Sequence, residues 1–346
     1  MPNWGEIGTE INQTAQLLQA QGACPPNAPN AFDVVRRKYL GLASAKSNRP
    51  TILYATGWLT SPNAPAPLVS MSDDDMLGFM EAVHGLTGPN LDLMLHSPGG
   101  SASAAEQIVK YLRTKFDHIR IIVPHMAMSA ATMISCAADQ IVMGKHSFLG
   151  PIDPQIIIQT ALGPRSVPAQ AILEQFERAL REASDPIKLR VWAPMLTQYG
   201  PDLLVTCQNA ARLSEDLVSE WLKLYMFRGQ ADGEAKGKAI AHWLSDHAEF
   251  KTHARPISRD DLLAKGLNID SLERDQTEQD LFLSIHHAAA HTFNGTPAVK
   301  IIENNLGKAY VRMMNVLQPV QFIQAPMPPQ PPAPSPAAPP APRPHE

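Results

Sequence analysis

Cysteine is scarce in this chain, and the little there is stands apart. Cys24, Cys136 and Cys207 are odd in number and far separated, which argues against a disulfide framework and for reduced thiols in a cytoplasmic protein. A surplus of one charge is also lacking. The 29 basic and 33 acidic residues leave a net charge of -4, and the Lys and Arg are scattered, so no basic face is offered to nucleic acid. Long apolar runs are missing too. The most apolar segment, residues 119–143, is broken by His125, Ser129, Ser135 and Asp139. It falls short of the roughly 18 uninterrupted apolar residues of a membrane span and reads as buried strand and helix. The opening "MPNWGEIGTEINQ" has neither the basic nor the apolar region of a secretory leader. No G-x-G-x-x-G follows a strand, so the dinucleotide fingerprint is absent. No cofactor or metal is expected.

What is present is a globular chain of 346 residues, 44% hydrophobic, able to bury a full core. Residues 1–50 carry one helical stretch, Glu6 to Gln21, and then the Pro- and Asn-rich "CPPNAPNAF". They read as an N-terminal arm joined loosely to the core. From "PTILYATGWL" onward the pattern alternates between strand and helix. Strands are expected at "TILYATG", "LDLMLHS", "HIRIIVPH" and "QIVM". Helices are expected at "SDDDMLGFMEAVHGL", with Ser72 as N-cap, "SASAAEQIVKYLRTKF" and "SAATMISCAAD". Such alternation predicts βαβ units on a mainly parallel sheet, an α/β fold. After Pro168 the chain turns helical, and "AVKIIENNLGKAYVRM" reads as a hairpin. The expected division is a core over 51–275, a helix and hairpin extension over 276–320, and a proline-rich tail over 321–346. About half of the residues from Pro326 to Glu346 are proline, a composition that favours extended, disordered chain and docking to aromatic-grooved partners.

Two strand ends carry the chemistry. In "LMLHSPGGSASAAEQIVKYL" a strand gives way to a helix through Gly99 and Gly100, which can adopt positive φ and let a ligand approach backbone N–H groups. One βα unit later, in "VPHMAMSAATMIS", Ser129 sits among small residues where a strand passes into a helix. There it gains free N–H groups and the positive end of the helix dipole. Alone, the first is an ordinary turn and the second an N-cap. Together, at one edge of one sheet, they form a candidate acyl-transfer site.

"HSPGGSASAAEQI", "AMSAATMISCAADQIVM" and "LGPIDPQ" resemble the Clp protease/crotonase superfamily, and most closely its serine dehydrogenase proteinase branch, related to signal peptide peptidase A. The resemblance runs over about residues 50–275, closing in "THARPISRDDLLAKGLNID". It implies a Clp/crotonase-like spiral of βαβ units with a helical C-terminal extension, and a homo-oligomeric serine peptidase acting on peptides or proteins. By resemblance Ser129 is the nucleophile, Gly100 and Ala130 supply oxyanion-hole N–H groups, and Gly99, Ser101 and Met128 line the substrate.

A serine needs a base. Where the Clp peptidase has its histidine, this chain has Asp153; near where that peptidase has its acid, this chain has His253. The two residue types are exchanged, which implies His253 as base and Asp153 as its orienter. Signal peptide peptidases use a lysine instead, and Lys188 in "SDPIKLR" is then the candidate, provided it is desolvated. Asp153, between Pro151 and Pro154, has the alternative of organising a turn. His125 reads as a core or edge histidine, and Lys145 with His146 as an exposed pair. His287 and His291 have the i, i+4 spacing of metal ligands without a third ligand. Two other functions remain open at this point. One is a crotonase-like thioester-processing enzyme that uses the same N–H groups. The other is a catalytically silent scaffold with a recruiting tail.

Overall fold

The computed structural model describes residues 3–22, 29–160 and 163–314. Cys24 and the proline-rich tail lie outside them. Two helices come first, α1 (Trp4–Ala20) and α2 (Ala31–Ser47), followed by β1 (Thr51–Thr56). Next are α3 (Ala66–Val69), α4 (Asp75–Val83), β2 (Asn90–His96), α5 (Ala102–Arg113), β3 (His118–Val123), β4 (Met126–Ala127), α6 (Ala130–Cys136), β5 (Gln140–Met143) and β6 (Phe148–Leu149). A hairpin, β7 (Gln155–Thr160) and β8 (Gly163–Pro168), leads into α7 (Ala169–Glu182), α8 (Pro186–Leu196), α9 (Leu203–Trp221) and α10 (Gly233–Ser245). The chain closes with α11 (His247–Phe250), β9 (Ile257–Ser258), α12 (Arg259–Ala264), β10 (Ile269–Ser271), α13 (Gln276–Gly295), β11 (Ala298–Asn304) and β12 (Ala309–Met313).

The main sheet runs β10-β5-β3-β2-β1-β11-β12. From β10 to β1 neighbouring strands are parallel, as the βαβ pattern requires, while the C-terminal hairpin adds β11 and β12 antiparallel. Because successive strand residues point to opposite faces, each strand feeds two cores. Ile52, Tyr54, Leu93, Leu95, Ile121 and Ile141 pack under α4, α5, α6, α9 and α10. Leu53, Ala55, Met94, Ile122 and Val142 pack under α1, α2 and α13. Strands covered on both sides read as continuous apolar runs, which is how β1, β2 and β3 look in the sequence.

Helices α1 and α2 are not a loose arm. Ile7 and Leu40 are fully buried and belong to the second core. The fully buried Arg36 pairs with Glu303 of β11 and donates to Thr292 of α13 at 2.9 Å. The α2 signal lay in Asn30 and Asp33, which form a reciprocal capping box, and in apolar residues at helical spacing (Ala31, Val35, Leu40, Ala43). Ser72 is not a cap either. Helix α4 starts later, at Asp75, and it is the Asp75 carboxylate that accepts from the Ser72 N–H at 3.1 Å. Helix α8 and the β7–β8 hairpin were not anticipated.

A second, small sheet, β4-β6-β9, positions three of the candidate residues. Met126 and Ala127 pair with Phe148 and Leu149, which pair in turn with Ser258 and Ile257. Ser129 follows β4 by two residues, Asp153 follows β6 by four, and His253 precedes β9 by four. Three positions spread over 125 residues of chain are thereby brought to one edge.

Candidate active site

Ser129 stands at the sharp passage from β4 into α6 with φ 54° and ψ −121°. A side chain in so sparsely populated a region costs about 1–3 kcal/mol and persists only where the surroundings enforce it. Here they do. The Met128 N–H donates to Ser97 O at 3.0 Å, and the Ser97 N–H donates to Met126 O at 3.2 Å. Thr132 Oγ1 donates to Ala127 O at 2.8 Å and accepts from the Gly150 N–H at 3.0 Å. The Ser129 hydroxyl makes no capping bond, so the N-cap alternative is not what this residue does. Half-buried, it faces a cleft of about 510 Å³.

Gly99 and Gly100 border the same cleft. At φ +89°, a Cβ on Gly99 would lie 2.4 Å from Met128 O and 2.7 Å from Ala130 N; at φ +150°, one on Gly100 would lie 2.3 Å from Met71 O. The glycines therefore clear space for the protein's own backbone beside the cleft they border. Met71 bridges Gly100 in parallel register, taking Gly99 O at 2.7 Å and the Ser101 N–H at 3.0 Å. Residues alternate edges in such a ladder, so the N–H of Gly100 points away from Met71. Ala130 is the first residue of α6, whose N–H has no partner within the helix.

His253 also lines the cleft, and its Nδ1 lies 2.7 Å from Asp153 Oδ1. Asp153 is 2% exposed. Its Oδ2 faces His247 Nδ1 at 3.1 Å and accepts from Gln155 Nε2 at 3.0 Å, so the carboxylate serves side chains and does not build a turn of its own. A carboxylate at Nδ1 selects the tautomer with the proton there and leaves Nε2 as a base. His247 was missed because "SDHAEF" has no recognisable motif.

Two of the other expected residues stand off the cleft and a third borders it. Lys188 is exposed near the start of α8 and is not on the cleft, so it lacks the desolvation that a lysine base needs. Met128 is buried; its side chain lies where a Cβ on Gly150 would go, and it does not line the cleft. Ser101 borders the cleft and caps α5, accepting from the Ala104 N–H at 3.2 Å. The remaining walls are mostly apolar, with Met133, Ile152, Ile156 and Ala210 among them.

Across the sheet, His125 stacks on His96 with ring centroids 5.7 Å apart, and His286 meets His96 edge-on at 4.9 Å. Burial, with the neighbouring His125, pushes His96 down to about 3. Burial, with His96 and His125, lowers His286 well below the ordinary value. His291 stacks on Trp4 and bonds its carbonyl oxygen at 2.9 Å. Among the described residues no three His, Cys, Asp or Glu are gathered to hold a metal ion, and no helix is long and apolar enough to cross a membrane. Cys136 and Cys207 are free and buried.

Residues 85–279, more than half of the chain, match the model of a family described as ClpP-like SDH-type serine proteinase. Two uncharacterized proteins of Methanocaldococcus jannaschii are 32% and 30% identical over 181 residues, 52% of this chain. The chain spans about half the length of these curated relatives, 52% and 54%. Among solved structures, a mutant of a membrane-bound stomatin-specific protease aligns at 15% identity and a TM-score of 0.36, over 61% of this chain and 78% of its own.

Proposed function

This chain belongs to the ClpP-like SDH-type serine proteinase family, and we propose that it is a serine peptidase working through an acyl-enzyme on Ser129. His253 Nε2 takes the Ser129 Oγ proton as Oγ attacks the scissile carbonyl carbon. The oxyanion is met by the N–H groups of Gly100 and Ala130. Asp153 holds the imidazolium through Nδ1, and His253 then passes the proton to the leaving amine. Water repeats the cycle on the ester. The observation that carries this reading is the 2.7 Å contact between His253 Nδ1 and Asp153 Oδ1 beside a cleft that Ser129 shares. Peptides with an uncharged residue at the scissile bond suit walls formed by Met133, Ile152 and Ala210. A homo-oligomer is part of the same reading: α8 buries none of its residues and turns Ile187 and Val191 to solvent, an apolar strip that a second copy would cover.

The test is covalent labelling by a fluorophosphonate together with hydrolysis of a fluorogenic peptide. Ser129→Ala is expected to lose both and to keep its urea midpoint, since no capping bond is removed. A wild type that never labels, or an alanine variant that turns over normally, refutes the proposal.

A further inference from the structure

Asp153 offers His253 only one of its two oxygens. The other, Oδ2, lies 3.1 Å from His247 Nδ1 and 3.0 Å from Gln155 Nε2. A carboxylate turns easily about its Cβ–Cγ bond, so what holds Oδ2 also decides where Oδ1 points. Gln155 stands two residues along the same segment and moves with it. His247 comes from α11, 94 residues away in sequence. Its segment is fixed to that of Asp153 independently: the Ile152 N–H donates to Leu244 O at 2.9 Å, and Asp246 caps α11. The imidazole of His247 is largely covered, with 17% of its side chain exposed. It does not line the cleft that Ser129 and His253 share.

We infer that His247 is a positioning residue, an imidazole outside the substrate cleft that locks the Asp153 carboxylate in the rotation that presents Oδ1 to His253. The inference rests on the peptidase reading above. Asp153 is the buried hinge between two histidines of different duty: one takes the proton from serine, and the other anchors the acid. Without His247, Oδ2 keeps a single donor from its own segment. The carboxylate is then free to tilt away from His253, and the imidazole loses the orientation it needs. Substrate binding, which depends on the cleft walls, is left alone.

The test compares three substitutions in the full chain by kcat and KM on a fluorogenic peptide, with fluorophosphonate labelling of Ser129 and the urea midpoint measured alongside. His247→Leu is expected to lose kcat by roughly 10- to 100-fold, the range commanded by groups that orient a working ligand from the layer behind it, with KM within about twofold. His247→Asn carries its amide N–H where Nδ1 stood and is expected to recover most of kcat. His247→Gln carries its amide N–H where Nε2 stood and is expected to behave like leucine; should the leucine variant not fold, the asparagine and glutamine pair decides the matter. Wild-type kcat in His247→Leu, or equal kcat in the asparagine and glutamine variants, overturns the inference while Ser129-dependent labelling leaves the peptidase reading standing. Loss of that reading shows separately, as a wild type that neither labels nor cleaves.

Discussion

Replacing Gly99 by alanine separates two accounts of the Pro-Gly-Gly turn. If the glycine only clears room for substrate, alanine should fold as well as glycine and lose turnover alone. The structure says otherwise. The new Cβ would stand 2.4 Å from Met128 O, 2.7 Å from Ala130 N and 2.7 Å from Ser129 Cβ. None of these can swing aside as the end of a long side chain can. The residue also holds φ +89°, which costs an L-residue about 1–2 kcal/mol, and overpacking against fixed backbone adds about 1–3 kcal/mol. We expect Gly99→Ala to lower stability by about 2–5 kcal/mol, read as a shift of the urea midpoint. Whatever part of the clash is relieved by movement displaces Ser129. Since a misplacement near 1 Å costs roughly 100-fold, fluorophosphonate labelling should slow by at least about tenfold. An alanine variant with both the midpoint and the labelling rate of wild type would refute the claim that this glycine is packed against the serine turn.

The histidine cluster makes stability pH-dependent. Because His96 is pushed down to about 3 in the folded chain, the unfolded chain binds more protons below pH 6.5. Its contribution is therefore complete above pH 6.5 and is lost as pH falls toward 3, about 2 kcal/mol by pH 5. His286 and His125, also lowered, act with the same sign. Urea midpoints should fall between pH 7.5 and 5, less steeply in His96→Gln, and a flat profile would rule this out. Lys300, fully buried, donates to Asp75 Oδ1 at 2.6 Å and to Ser70 O at 2.7 Å, pinning the segment whose Met71 holds Gly100. Lys300→Met should cost about 3–5 kcal/mol by stranding the buried carboxylate and should slow labelling. Lys300→Met with Asp75→Leu should recover part of the stability, and a double variant no better than the single would deny the pair its role.

The alternating sheet was legible from residue 51 to 143 because strands buried on both faces are written as apolar runs between turn residues, and little else competes with that signal. Helices α7, α9 and α10 followed from plain amphipathic spacing. The N-terminal helices misled for a local reason: Pro25, Pro26 and Pro29 between them suggest a chain that has left the core, whereas Ile7 of α1 and Leu40 of α2 are buried in it. Helix α8, from Pro186, with a second proline at Pro194 and no buried residue, has no periodicity to read.

The site divides along the same line, between what a single segment encodes and what only the small sheet assembles. Ser129 and the glycines announce themselves within a dozen residues each, because a backbone that must turn sharply beside a helix start admits few residue types. Asp153 and His253 could be paired only through their exchanged order relative to the Clp peptidase. Nothing in "GPIDPQ" or "THARPIS" states that β6 and β9 lie side by side, yet the Leu149–Ile257 register is what converts a separation of 100 residues into a 2.7 Å contact. His247 had neither aid. It lies in a four-residue helix, and its one informative neighbour is a carboxylate 94 residues earlier. A residue that acts by holding another's rotation leaves its mark in space and none in spacing, so reading such residues begins from the acid and asks what occupies its second oxygen.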